Sequence, residues 1–304
     1  MEQPLAIKAE GLIKSYGPFQ ALRGIDLRVR CGESFGFLGP NGAGKTTTIR
    51  CLLDLIRPNG GTVRVLDIDP QANPVAVGAR VGYLPGELNL DDNMTAEATF
   101  RSFAGLRGHT VEWSYVRQLA ERLDLDLTRP IKQFSKGNKQ KVGVVQALMH
   151  RPELRLLDEP TSGLDPLVQH GVLRLVAEAH AGGATVFFSS HILSEVQAVA
   201  ERVAIIRRGT IVEVAATESL INRALRRVKI RFRQPLDTTV LAQLPGVKVL
   251  ANGESTNVML QVEGELAGLI KALAVYPVSD FETERPSLEE IFLAYYEADR
   301  VEAH

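Results

Sequence analysis

Short aliphatic runs alternate with amphipathic segments over the first two thirds of the chain, the pattern of an α/β domain. Apolar runs at 35–38, 80–84, 154–157, 185–189 and 202–206 predict strands. Between them lie helical patterns with readable ends. Asp165-Pro166, an acceptor cap followed by proline in the first turn, predicts a helix that runs to Gly182-Gly183. From about Ala215 the period changes. Val228, Ile230 and Phe232 alternate with Lys229, Arg231 and Arg233, which predicts a half-buried strand. Further strands are expected at 247–250 and 257–262, with the turn-like Asn252-Gly253 between them. Ser287 with Glu290 forms a capping box that predicts a short helix with Leu288, Ile291, Phe292 and Tyr295 on its apolar face. The expectation is an α/β domain over 1–215 and a small α+β domain over 216–304, the second without a catalytic signature.

Composition supports folding and narrows the partners. A chain of 304 residues with 45% apolar and 23% charged residues has the usage of a globular protein large enough for two unequal domains. The 35 basic and 36 acidic residues leave a formal charge of -1, so no bulk field draws the chain to nucleic acid or to an anionic membrane. No apolar run approaches the roughly 20 residues that cross a bilayer, and the start MEQPLAIKAEG lacks the apolar core of a signal peptide. A cytoplasmic protein is expected. Cys31 and Cys51 are the only cysteines, expected as two buried thiols with no disulfide and no metal cluster.

The chemistry is concentrated at strand ends. Gly39-Pro40-Asn41-Gly42-Ala43-Gly44-Lys45-Thr46-Thr47 fits G-x-x-x-x-G-K-[ST] and lies between the strand at 35–38 and a helical pattern at 46–55, the context this phosphate-binding motif requires. Its glycines let successive N–H groups face a β-phosphate, and a side chain at Gly44 is expected to obstruct the anion. The helix N-terminus adds dipole and unpaired donors. Lys45 is expected to span the β- and γ-phosphates, and Thr46 to place its hydroxyl on Mg²⁺. The strand at 154–157 ends in Asp158-Glu159-Pro160. Asp158 suits a magnesium ion held through water, and Glu159 suits the general base that polarises the attacking water. The plainer reading of two such acids is a solubilising strand edge. His191 follows the strand at 185–189 and can donate to the γ-phosphate. On its own, a histidine there is more often a satisfied structural residue.

The ordered set of residues 39–47, Phe134-Ser135-Lys136-Gly137-Asn138, the strand ending in Asp158-Glu159-Pro160, Ser162-Gly163-Leu164-Asp165 and His191 clearly resembles the nucleotide-binding subunits of ATP-binding cassette (ABC) transporters. The match spans roughly 5–215 and looks closest to drug, antibiotic and polysaccharide exporters whose ATPase is a separate chain from the membrane subunit. The resemblance implies an ABC-type P-loop fold with a helical subdomain at about 87–150, and ATP and Mg²⁺ as ligands. It implies a head-to-tail homodimer in which Ser135, Gly137 and Asn138 cap the γ-phosphate of ATP on the opposite protomer while the loop at Asp165 crosses the seam. An integral membrane permease is the further implied partner, placing the chain at the inner face of the membrane. Lys139 and Lys141 are poorly placed against the helix dipole unless an anion or acidic neighbour offsets them. Tyr16 matches the family's adenine-stacking aromatic; read from the residue alone, core and platform are equally open. The tail from about Ala215 resembles, more weakly, the accessory domain of the antibiotic-export branch, serving dimer support or regulation.

One position departs from the family. After Tyr83-Leu84-Pro85 the family usually has a glutamine that contacts Mg²⁺ and the attacking water; here stands Gly86, followed by Glu87. Glu87, Asn89 or water must substitute, or coordination is looser. The helical stretch 94–107, continuing through 122, corresponds to the lobe that receives the permease. A soluble family member acting in translation or DNA repair is the rival reading, weakened by a single cradle and neutral charge. A GTPase is disfavoured because Lys141 cannot accept from a guanine where Asn138-Lys139-Gln140-Lys141 would need an aspartate.

Overall fold

The computed structural model describes residues 3–107, 111–223, 226–250 and 254–284. The chain divides into two compact units, Met1–Ala215 and Ala216–His304. The first runs β1 (Leu5–Tyr16), β2 (Phe19–Arg30), β3 (Ser34–Leu38), α1 (Lys45–Leu52), β4 (Gly60–Val65), α2 (Pro74–Arg80), β5 (Val81–Leu84), α3 (Ala96–Arg107), α4 (Trp113–Arg122), α5 (Lys136–Leu148), β6 (Leu154–Asp158), α6 (Pro166–Ala181), β7 (Thr185–Ser190), α7 (Leu193–Val199), β8 (Arg202–Arg207) and β9 (Thr210–Ala216).

The central sheet has the order β5-β6-β7-β3-β8-β9, and its first five strands pair in parallel. Every residue of β3, β6 and β7 is buried, as strands covered on both faces require, and this is why the sequence shows them as mostly apolar runs rather than as an alternation. Phe187 stacks on Phe35 with centroids 5.9 Å apart and tilts against Phe37 at 5.4 Å. A buried phenyl of this kind is worth about 3–5 kcal/mol when cut to alanine. Because the strands are parallel and in register, with Leu38 opposite Ser190 and Asp158 opposite Ser189, the loops after β3, β6 and β7 leave the sheet at one edge. That edge carries the chemistry.

An antiparallel sheet of order β2-β1-β4 completes the unit. It was absent from the pattern-based expectation, because register irregularities between Ala9 and Leu12 and between Leu12 and Ile13 break the two-residue period that would have revealed it. The stretch expected as helical from 94 to 122 is α3 and α4, separated by Val111 and Glu112, which are not helical. The helix expected at 46–55 ends at Leu52, and Asp54 takes φ +52°. Both cysteines are free, but only Cys51 is buried; Cys31 is exposed at the turn after β2, where the chain reverses through Gly32 at φ +76°.

The second unit holds α8 (Thr217–Arg223), β10 (Arg226–Asp237), α9 (Thr239–Ala242), β11 (Val247–Val249), β12 (Glu254–Val262), α10 (Ala267–Leu273) and β13 (Val278–Glu284). Its antiparallel sheet has the order β11-β12-β10-β13. Val228, Ile230 and Phe232 are buried against Leu241, Leu260 and Leu269, while Lys229 on the other face pairs with Glu284. The alternation seen in the sequence is this two-sided strand. The helix expected after Ser287 lies outside the described residues, as does the turn at Asn252-Gly253.

Candidate functional site

The cradle is anchored where β3 meets β7, with the Gly39 N–H donating to the Ser190 carbonyl at 3.2 Å. Pro40, Asn41 and Gly42 stand exposed at its tip and Ala43 is buried. Gly42 and Gly44 adopt φ +78° and +115°, a left-handed region that favours glycine. A β-carbon on Gly44 would lie 2.8 Å from Leu22 Cδ2 and 3.1 Å from the Ala21 carbonyl, and one on Gly39 would lie 2.5 Å from the Ile206 carbonyl. Gly44 is therefore demanded by its backbone conformation and by β2 behind it. Gly44 is the N-cap of α1, with no side-chain cap and no acid in the first turn, which leaves the helix N-terminal donors open to an anion. Thr46 and Thr47 are half-buried in that turn.

Lys45 is 5% exposed, and its Nζ donates to the carbonyls of Gly39 at 2.7 Å and Pro40 at 3.2 Å. The same ammonium lies 3.2 Å from Glu159 Oε1, and His191 Nδ1 lies 3.4 Å from that oxygen. The three residues come from three loops of one sheet edge. Asp158 is wholly buried; its Oδ1 accepts from Ser189 Oγ at 2.5 Å, and its Oδ2 has no hydrogen-bond partner among the described residues. Burial, with the Asp158 charge as a lesser cause, pushes the phenol of neighbouring Tyr83 above its ordinary range.

Glu159 holds φ +48°, a conformation that costs a non-glycine residue about 1–2 kcal/mol. Its N–H donates to Ser189 Oγ at 3.1 Å, and Gln140 Nε2 donates to the carbonyls of Glu159 at 3.1 Å and Pro160 at 3.2 Å. These bonds offset the strain and hold the carboxylate turned toward Lys45. Ser189 and Gln140 were not singled out in the sequence. Two hydroxyl residues closing an apolar strand were a usable signal for the first; nothing local marked the second.

Ser135 is the N-cap of α5, its hydroxyl accepting from the Asn138 N–H at 3.2 Å. A β-carbon on Gly137 would stand 3.0 Å from the Gly163 carbonyl, so this loop packs on the segment leading to Asp165, which in turn caps α6 through Val168 N–H. Among the described residues no hydrogen bond or ion pair joins Ser135, Gly137 or Asn138 to residues 39–47 of the same chain. Two lysines of α5 are offset: Lys139 pairs with Asp92 at 2.8 Å, and the buried Lys141 donates to the Asp124 carbonyl at 3.1 Å. Tyr16 is 46% exposed at the end of β1, with Lys14 Nζ 5.4 Å from its ring centroid, which excludes a core role.

Gly86 faces the carboxylates: its β-carbon position is 3.0 Å from Asp158 Oδ2. Glu87 and Asn89 are exposed, and among the described residues neither is bonded or ion-paired to Asp158.

A phosphate cradle, a paired carboxylate edge and the Ser135-capped helix α5 beside one largely parallel sheet define a P-loop ATPase of the cassette type. The chain belongs to the ABC transporter family. The family model for ABC transporters matches residues 22–162. The daunorubicin/doxorubicin resistance ATP-binding protein DrrA of Streptomyces peucetius is 31% identical over 95% of this chain and 92% of that protein. DrrA3 of Streptomyces coeruleorubidus is 34% identical over 97% of each. The bacitracin transport ATP-binding protein BcrA of Enterococcus faecalis is 34% identical over 71% of each. A solved ATP-binding subunit of an ABC transporter, 30% identical, superposes with a TM-score of 0.64 over 71% of this chain and 91% of that one. The expected family and fold class are borne out, and the chain is an ATP-binding, ATP-hydrolysing cassette.

Proposed function

We propose that this chain is the motor of an exporter for a drug, antibiotic or comparable small molecule, acting as a homodimer on a separate membrane permease from the cytoplasmic side. The daunorubicin and bacitracin names of its relatives favour that cargo class. No helix among the described residues is long and apolar enough to cross a membrane. The unit at Ala216–His304 supports the dimer or regulates it.

The observation that carries the reading is the Glu159 carboxylate lying between Lys45 and His191, beside the buried Asp158. When ATP enters, Lys45 exchanges the Gly39 and Pro40 carbonyls and Glu159 for phosphate oxygens, and the donors of Gly39 to Thr47 cradle the β-phosphate. Released from Lys45, Glu159 takes the proton of a water whose oxygen bonds the γ-phosphorus as the bond to the β–γ bridging oxygen breaks. His191 donates to the γ-phosphate. Ser135, Gly137 and Asn138 serve the nucleotide on the opposite protomer, the loop at Asp165 spans the seam, and Tyr16 stacks on adenine.

Asp158 Oδ2, buried and without a hydrogen-bond partner among the described residues, and the Thr46 hydroxyl fit Mg²⁺. Among the described residues no cluster of three or more His, Cys, Asp or Glu could hold the ion alone, so phosphate oxygens and water would have to supply its remaining ligands. When bound, Mg²⁺ neutralises charge on the phosphates. Glu159→Gln tests the whole: turnover is expected to fall about 10²–10⁴-fold while sedimentation still shows an ATP-dependent dimer. Normal turnover removes Glu159 from the base role, and a monomer at saturating ATP removes the dimer.

A further inference from the structure

A cavity of about 420 Å³ lies at the end of the central sheet where β6 begins, between α4 and the carboxyl end of α6. Its lining includes Tyr115, Arg122, Arg151, Arg155, Glu178 and Ala184. Arg155 is 4% exposed on a strand buried throughout, yet its Nε and Nη1 have no hydrogen-bond partner among the described residues. The other charges around it are matched. Arg122 makes a bidentate pair with Glu178 at 2.5 and 2.6 Å, Arg151 pairs with Glu112 at 3.2 Å, and Glu153 pairs with Arg80 at 2.6 Å. Arg155 is left as an uncompensated cation facing a roomy polar cavity.

A guanidinium stays ionised in proteins and presents its N–H groups as a planar fork that matches two oxygens of one oxyanion. Burial depresses its proton affinity, with nearby Arg151 adding to that and Tyr115 opposing it, so an arriving negative charge is favoured twice, by pairing and by relieving repulsion. A cavity of this size is within the range of small-molecule sites. Arg151 covers the Tyr115 ring, its guanidinium carbon 4.1 Å from the centroid, which removes the one aromatic face as a platform for a base or sugar. The ligand is defined by its acid group.

We infer that Arg155 anchors a binding site for a small oxyanion, a phosphate or carboxylate compound, separate from the nucleotide cradle. The site joins α4 of the helical lobe to β6, whose far end carries Asp158 three residues on. An occupant would therefore brace the lobe against the strand that holds the catalytic carboxylates.

The test uses the full chain with a non-hydrolysable ATP analogue saturating the cradle, so that its γ-phosphate position is filled and free phosphate cannot enter there. Inorganic phosphate, acetate and chloride are compared at matched ionic strength by thermal unfolding and titration calorimetry. Phosphate or acetate is expected to bind near one per chain and raise the midpoint by about 2–4 °C over chloride at saturation. Arg155→Leu should abolish the rise, and Arg155→Lys, which keeps the charge without the fork, should weaken binding at least about tenfold. Phosphate response without acetate response assigns the site to phosphate compounds, and the converse to carboxylates. An equal rise in both variants, or none in the parent chain, overturns the site; water then satisfies Arg155.

Discussion

The β-carbon position of Gly86 lies 3.0 Å from Asp158 Oδ2, the oxygen of that buried carboxylate without a hydrogen-bond partner among the described residues. A side chain there must displace either the carboxylate or its own loop by a few tenths of an ångström, an overpacking cost of about 1–3 kcal/mol. Glycine at 86 thus keeps space in front of the oxygen proposed to face Mg²⁺. Gly86→Gln is expected to change ATP affinity less than about tenfold, or 1.4 kcal/mol, because the cradle stands on other loops, and to lower Mg²⁺-dependent turnover. Nucleotide titration with and without Mg²⁺ separates the two; a loss of affinity in the absence of Mg²⁺ would show that the 86 loop supports the cradle.

Ser189 Oγ holds both carboxylate residues at once, donating to Asp158 Oδ1 and accepting from the Glu159 N–H. Ser189→Ala strands a buried carboxylate oxygen and a strained residue's N–H, each worth about 1–3 kcal/mol. A fall in the denaturation midpoint and at least tenfold slower turnover, roughly the 1.4 kcal/mol step, are expected together. Ser189→Thr keeps the hydroxyl and should recover most of both. Recovery of stability without turnover would mean that the hydroxyl only supports the fold.

What the sequence could disclose followed from how local each cause was. The strands buried on both faces, the glycine cradle and the Asp165 cap each depend on neighbours within a few residues, so their spacing exposes them. Gly86 stood out only by departing from a family pattern, and its reason, the approach to Asp158, crosses from β5 to β6. Gln140 and Ser189 act on Glu159 across 19 and 30 positions, distances at which no pattern links donor to acceptor. The β1–β2–β4 sheet was hidden by its bulges, and α10 by brevity, although Leu269 and Leu273 sit one turn apart in its buried stripe.

The two thiols differ in access, and both are held above the ordinary thiol range. Burial pushes Cys51 up to about 11, and burial also raises Cys31, with Glu153 adding to it and Arg80 opposing. Near pH 8 both are largely protonated, so alkylation is slow and accelerates with rising pH. Mass spectrometry of iodoacetamide-treated protein should find Cys31 labelled in the native chain and Cys51 only after denaturation. Equal native labelling would place Cys51 in a region that opens readily.

Glu195 is a buried carboxylate with two donors, Thr161 Oγ1 at 2.5 Å and Ser190 Oγ at 2.6 Å. Thr161 begins the stretch that leads to Asp165, and Ser190 immediately precedes His191, so Glu195 ties the expected seam loop to the expected γ-phosphate contact. The bond network offers a mechanical route between those loops, because moving either one strains a shared acceptor. Glu195→Ala should cost about 2–4 kcal/mol by leaving two buried hydroxyls without it, and Glu195→Gln, which retains one acceptor oxygen, about half. Thr161→Val with Glu195→Ala should be less destabilising than the sum, since once Glu195 is gone Thr161→Val removes a donor already stranded. Urea denaturation of the four proteins of that cycle gives the coupling directly. Strict additivity would mean that Thr161 and Glu195 share no energy, and that the loop at Asp165 moves independently of His191.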